Sequence, residues 1–155
     1  MIYFATGHRP DKLGGYGVHA VQRLDLFAIA QLTRLRPEMV IIGMAQGWDQ
    51  AAGVACIKLG IPFDAYIPFR GQELMWPRHA QQRYKIILDH AANVRLCNPG
   101  GYRAEKMQIR NMMMVDAGEK GLALWNGSDG GTANCIAYAE AKNKSVENLW
   151  DFWSK

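Results

Sequence analysis

Short runs of apolar residues alternate with segments whose apolar positions recur at helical spacing. Ile2–Ala5 is a β-type run ending at Thr6-Gly7. After a polar, Gly-rich loop, Val21, Leu24, Ala28 and Leu32 recur with a helical period, with Arg23, Gln31 and Arg34 on the other side, and Pro37 follows as a stop. Met39–Ile42 is continuously apolar, as a strand covered on both faces should be. The unit then repeats. The spacing predicts a helix from Asp49, as cap, through Lys58 with Gly60 behind it, a strand over Phe63–Pro68, and a helix from Pro77 to about His90. Strands at Val94–Cys97 and Gly121–Trp125 and helices at Arg103–Ala117 and Thr132–Lys142 complete the pattern. The tail from Ser145 to Trp153 reads equally as a short strand or a helical turn.

Five or more strands separated by helices specify an α/β, Rossmann-like three-layer sandwich with a mainly parallel sheet. At 155 residues, with no linker, repeat or low-complexity stretch, the chain reads as a single domain, 1–155. The apolar fraction of 49% excludes disorder. Eighteen Lys and Arg against fourteen Asp and Glu give a net charge of +4, mild enough to suit an anionic small ligand without requiring one. Cys56, Cys97 and Cys135 fit neither a disulfide framework nor metal-ligand spacing, and the four histidines pair with neither each other nor cysteine. No metal, cofactor or membrane contact is expected. With no signal-peptide core and no apolar run near the ~20 residues of a membrane span, a cytoplasmic location is the expectation.

In open parallel sheets ligands bind beyond the carboxyl ends of the strands, which directs attention to four loops. Thr6-Gly7-His8-Arg9 follows the first strand, and its Arg can grip phosphate or carboxylate. Gly43 to Gly47, with Trp48 and Asp49, resembles a phosphate-cradling turn but lacks the Gly-Lys-Ser/Thr of a P-loop. Pro68 to Trp76 carries Arg70 and Glu73 beside aromatic rings. Asn126 to Thr132 is the strongest signal: Gly130 and Gly131 precede a helix, where free N–H groups favour an anion and Thr132 can cap. Trp48 or Trp76 would stack on a base.

Together, Thr6-Gly7-His8-Arg9, the Gly43–Asp49 turn, Arg110-Asn111 with Asp116, and Trp125-Asn126-Gly127 through Gly131-Thr132-Ala133 resemble the YpsA-like branch of the SLOG superfamily over residues 1 to about 144. That superfamily also holds the Lonely Guy phosphoribohydrolases and the DNA-processing protein DprA. The resemblance implies a nucleotide or nucleotide-derived ligand at the strand ends, with phosphate on Gly130, Gly131 and Thr132, Arg110 and Asn111 across the cleft, and a homo-oligomer. Hydrolytic relatives carry a Glu three residues beyond the motif Thr; here Cys135 stands there. Three functions follow in order. The first is a sensor or sequestering protein for a nucleotide. The second is an N-glycosidase acting on a nucleoside monophosphate through Glu73 or Asp49, since cleavage builds positive charge that a carboxylate stabilises. Single-stranded nucleic-acid binding comes last, because no basic run is interleaved with aromatics, so nucleic acid is not the expected partner.

Overall fold

The computed structural model describes residues 1–155. Its six strands are β1 (Ile2–Gly7), β2 (Met39–Ile42), β3 (Phe63–Ile67), β4 (Asn93–Leu96), β5 (Lys120–Leu124) and β6 (Val146–Asn148). They form one sheet in the order β4-β3-β2-β1-β5-β6, and every pairing is parallel. The helices are α1 (Val18–Leu35), α2 (Trp48–Leu59), α3 (Arg78–Asp89), α4 (Ala104–Ala117), α5 (Gly131–Ala141) and the short α6 (Trp150–Trp153). The chain enters at β1 in mid-sheet, steps outward through β2, β3 and β4, then returns to lay β5 on the other side of β1. This reversal opens a crevice between the β1 and β5 ends.

Alternation along the strands feeds two cores. Tyr3, Ala5, Val40 and Ile42 face one way, into a cluster of 22 buried residues shared with α1, α2 and α3. Phe4 and Ile41 face the other way, against Met114 and Val115 of α4 and Cys135 and Ala139 of α5. The methionine-rich segment thus supplies core filling through Met114.

Element ends differ from the sequence expectation for local reasons. β3 stops at Ile67 because Pro68 has no N–H to continue the ladder. Gly60 closes α2 in the left-handed conformation (φ 70°), as its position predicts. The tail is both alternatives at once: β6 pairs with β5, and α6 follows, burying Leu149 and Trp153. Arg23 holds that end down, lying 3.7 Å over the Trp153 ring and donating to Trp153 O at 2.8 Å. No helix is long and apolar enough to cross a membrane.

Candidate functional site

The crevice is a cleft of about 380 Å³ at the carboxyl ends of β1, β2 and β5. Its first wall continues β1. His8 N donates to Leu124 O (3.1 Å), and the His8 Nε2 accepts from Asn126 N (2.9 Å), which leaves the ring proton on Nδ1. Burial lowers the His8 pKa, so the imidazole is neutral at pH 7. The chain then turns through a 3-10 segment, Pro10–Lys12, and places Arg9, Asp11 and Lys12 on the cleft.

The second wall is the loop after β2. Gly47, at φ 97°, lies so close beneath His8 that a Cβ there would collide with His8 O. Trp48 N donates to the same carbonyl (3.2 Å). The clamp leaves the Asp49 side chain in the cleft wall and 5% exposed, rather than capping α2. Burial raises the Asp49 pKa to about 6, against the opposing pull of Arg110, Arg9 and the backbone N–H groups of Ala45 and Gly43.

Arg110 and Asn111 project from α4. The Arg110 guanidinium donates to Gly43 O and, through Nε, to Asn111 Oδ1 (3.0 Å), while Asn111 Nδ2 reaches Gly131 O (3.4 Å). These bonds tie α4 to both Gly-containing loops. Burial also pulls the Arg110 pKa below its ordinary value, and Asp49 opposes that pull.

The third wall is the loop after β5. Trp125 Nε1 donates to Ser128 O (2.7 Å) and Ser128 N to Asn126 Oδ1 (2.9 Å), which shape the turn into α5. The Ser128 Oγ is buried with no partner. Gly130 caps α5 at φ 141°, so Thr132 lies inside the first turn and makes no capping bond. A Cβ added to Gly131 would meet nothing within 4 Å, and its φ is ordinary. Nothing in the protein therefore requires glycine there.

The cleft gathers Thr6, Gly7, His8, Arg9, Asp49, Arg110, Asn111, Gly130, Gly131 and Thr132 from the sequence-predicted set. Lys12, which no motif marks, lines it too, as does Ser128 from the Asn126–Thr132 loop. Gly43 and Gly47 instead make room for Arg110 and for the His8 carbonyl. Trp48 cannot stack on a base: it is wholly buried against Gly7, with Nε1 on Leu122 O (3.2 Å). Trp76 packs edge-on to Tyr84 at 5.5 Å, outside the cleft. Asn126 serves through its backbone and as an acceptor for Ser128, and Asp116 accepts from Tyr138 OH (2.8 Å) on the outer side of α4. Glu73 lies on the loop before α3, near Tyr84 and away from the cleft. That position separates it from Asp49, the other carboxylate expected to act. Cys135 is a buried thiol pushed up to about 11 by desolvation, so it offers no anion where hydrolytic relatives carry Glu.

Three cations (Arg9, Lys12, Arg110) and three acids (Asp11, Asp49, Asp129) thus face one cavity. None of them forms an ion pair within the cleft or outside it, for all five ion pairs lie elsewhere. Arg110 is held by Gly43 O and Asn111 Oδ1, whereas Arg9 and Lys12, beside a helix N-terminus, can receive an anion.

No family model matches the chain. In fold it is similar to DNA processing protein A (DprA) of Helicobacter pylori, with a TM-score of 0.64 and 14% identity over 94% of this chain and 63% of that one. It is similar also to DprA of Streptococcus pneumoniae, with a TM-score of 0.61 and 15% identity over 94% of this chain and 49% of that one. The chain therefore spans about half to two thirds of those proteins, and it shares their Rossmann-like α/β fold. The H. pylori protein binds single-stranded DNA. The expectation that sets nucleic acid aside as a partner is thereby overturned. It relies on a linear basic-aromatic run, whereas a cleft collects its cations from separate loops. In sequence, the chain is 33% identical over 135 residues to the SPbeta prophage-derived protein YoqJ of Bacillus subtilis (strain 168), covering 77% of this chain and 78% of that protein. The chain belongs to the YoqJ family.

Proposed function

We propose that the cleft binds the phosphate of a nucleotide, with the α5 N-terminus, Arg9 and Lys12 receiving the anion. One observation carries this reading: Gly131 has open space where a side chain would be, at a helix start in the same cleft as Arg9 and Lys12, which form no ion pair. A glycine with no internal reason fits a backbone that a ligand approaches closely. Gly131→Ala should leave the melting temperature unchanged or slightly raised, and weaken nucleoside monophosphate binding, measured calorimetrically, by roughly tenfold. Unchanged affinity in that variant sinks the reading.

The same phosphate can belong to a free nucleotide or to single-stranded nucleic acid. The balance of three cations and three acids supports a free nucleotide of low charge, held by a sensor or sequestering protein. The fold likeness to a DprA that binds single-stranded DNA supports the polymer. Affinity that rises with oligonucleotide length selects the second; affinity complete at one nucleotide selects the first.

A hydrolytic reading is supported by Asp49, a buried carboxyl in the cleft that exchanges its proton near pH 6, as general acid–base chemistry requires. Release of free base from a nucleoside monophosphate, lost in Asp49→Asn, is the expected outcome; no release in the unmodified protein removes it. Within the superfamily we place the chain in the YpsA-like branch, on Gly43–Asp49 and Arg110-Asn111. We place it in the cytoplasm on its three free thiols.

A further inference from the structure

A second cavity of about 280 Å³ lies behind the first loop, back to back with the cleft. The two share a wall. Along the 3-10 turn, Asp11 and Lys12 line the cleft, whereas Pro10 and Leu13 line the second cavity; Ala45 and Gln46 divide in the same way. The remaining walls come from the loop and first turns leading through α1 and from the start of α3.

Its chemistry differs from that of the cleft. Leu13, Leu24 and Ala80 provide buried apolar surface. The charges present cancel: Arg83 donates to both Asp25 carboxylate oxygens, Nη2 to Oδ1 at 2.8 Å and Nη1 to Oδ2 at 3.0 Å. No cation is left to hold a phosphate, because His79 is the only other basic side chain on the wall and is exposed. The polar groups that remain are the carboxamides of Gln22, Gln46 and Gln50, with the exposed Tyr16 hydroxyl and His79 ring at the rim. Gln50 is 2% exposed, and its Nε2 donates to Met44 O (3.1 Å), which fixes the carboxamide in the wall. Carboxamides present donors and acceptors side by side, the complement of the edge of a nucleobase. The volume falls just below the range of drug-sized clefts, about 300–1,000 Å³, and admits one ring system rather than a nucleotide with its phosphates.

We propose that this cavity is a binding site for a neutral, planar heteroaromatic ring of the nucleobase class, read by the glutamine carboxamides between apolar walls. The site stands independently of the phosphate reading, since its lining shares no residue with the cleft.

The test is a titration of the ¹⁵N-labelled full chain with adenine, cytosine and indole, the last being a flat ring without an acceptor edge. Adenine or cytosine should shift the side-chain amide signals of Gln22, Gln46 and Gln50 with millimolar affinity, and indole should bind at least roughly tenfold more weakly. Ala20→Trp, at a half-buried wall position of α1, should abolish those shifts. Gln50→Leu should weaken binding by roughly tenfold. Should Gln50→Leu fail to fold, Gln22→Ala, at an exposed helix position, replaces it with the same expected direction. Inorganic phosphate serves as a separate probe, expected at Gly130–Thr132 and unchanged in every variant. Three results overturn the proposal: no shift of the glutamine signals up to the solubility of either base, indole binding as well as the bases, or base shifts confined to Gly130–Thr132. Loss of the phosphate response alone counts against the cleft reading and leaves the second site standing.

Discussion

Gly47 carries a cost that its neighbours reveal. Its φ of 97° is left-handed territory, and the His8 carbonyl occupies the space a Cβ would need. Gly47→Ala should therefore lose on the order of 2–3 kcal/mol and melt about 5–10 °C lower, read by thermal unfolding. From sequence, Gly43 and Gly47 look like Gly130 and Gly131, because a glycine states that a side chain is absent without stating what fills the gap. Asp49 shows the complementary blindness. Its position after a Gly-rich turn reads as a cap, and only the clamp between Gly47 and His8 turns it into the cleft. Its native pKa of about 6 lies above the ordinary 3.8, so between those values the folded chain holds the proton that the unfolded chain has lost. Stability from this group is complete below about pH 4 and is lost as pH rises through 6. Asp49→Asn, which imitates the protonated acid, should be more stable than the unmodified chain by on the order of 2 kcal/mol at pH 7.5, with the gap closing by pH 4. Parallel melting curves across pH 4–8 check this; a constant gap would mean that Asp49 does not titrate as described.

At the scale of elements, α4 depends on a residue beyond its own range. A helix leaves its last carbonyls without internal partners. Lys144 Nζ collects three acceptors at this end, Val115 O (2.6 Å), Asp116 O (3.2 Å) and Gly118 O (2.7 Å). Lys144→Met keeps the stem and removes the ammonium, and should cost about 2 kcal/mol, measured by denaturant unfolding. Nothing in the sequence marks this Lys, since its partners precede it by more than twenty-five residues. The helices and strands themselves were largely legible, because the central runs of β1, β2 and β5 are apolar enough to be buried on both faces and α1 shows its period. Their ends were less so: Trp125 falls outside β5 and Thr132 outside the cap position, both decided by how the loop between them folds.

Taken as one molecule, the chain wears its switch point openly: strand, helix and loop order predict where a ligand belongs, and the cleft lies there. Charge was harder to read, because a net +4 does not say which cations stay unpaired. Three of them do so in the cleft, which limits the phosphates it can neutralise. If single-stranded DNA binds, log affinity should fall with log salt at a slope no steeper than about −2. A much steeper slope would place the contacts on another surface. The loop after β5 also carries its own optical indicator. The Trp125 indole N–H rests on Ser128 O at 2.7 Å, within the turn that leads to Gly130. Any occupant that moves that turn must alter the hydrogen bond, and with it the emission of a half-buried indole, so the chain can report its own loading without a dye.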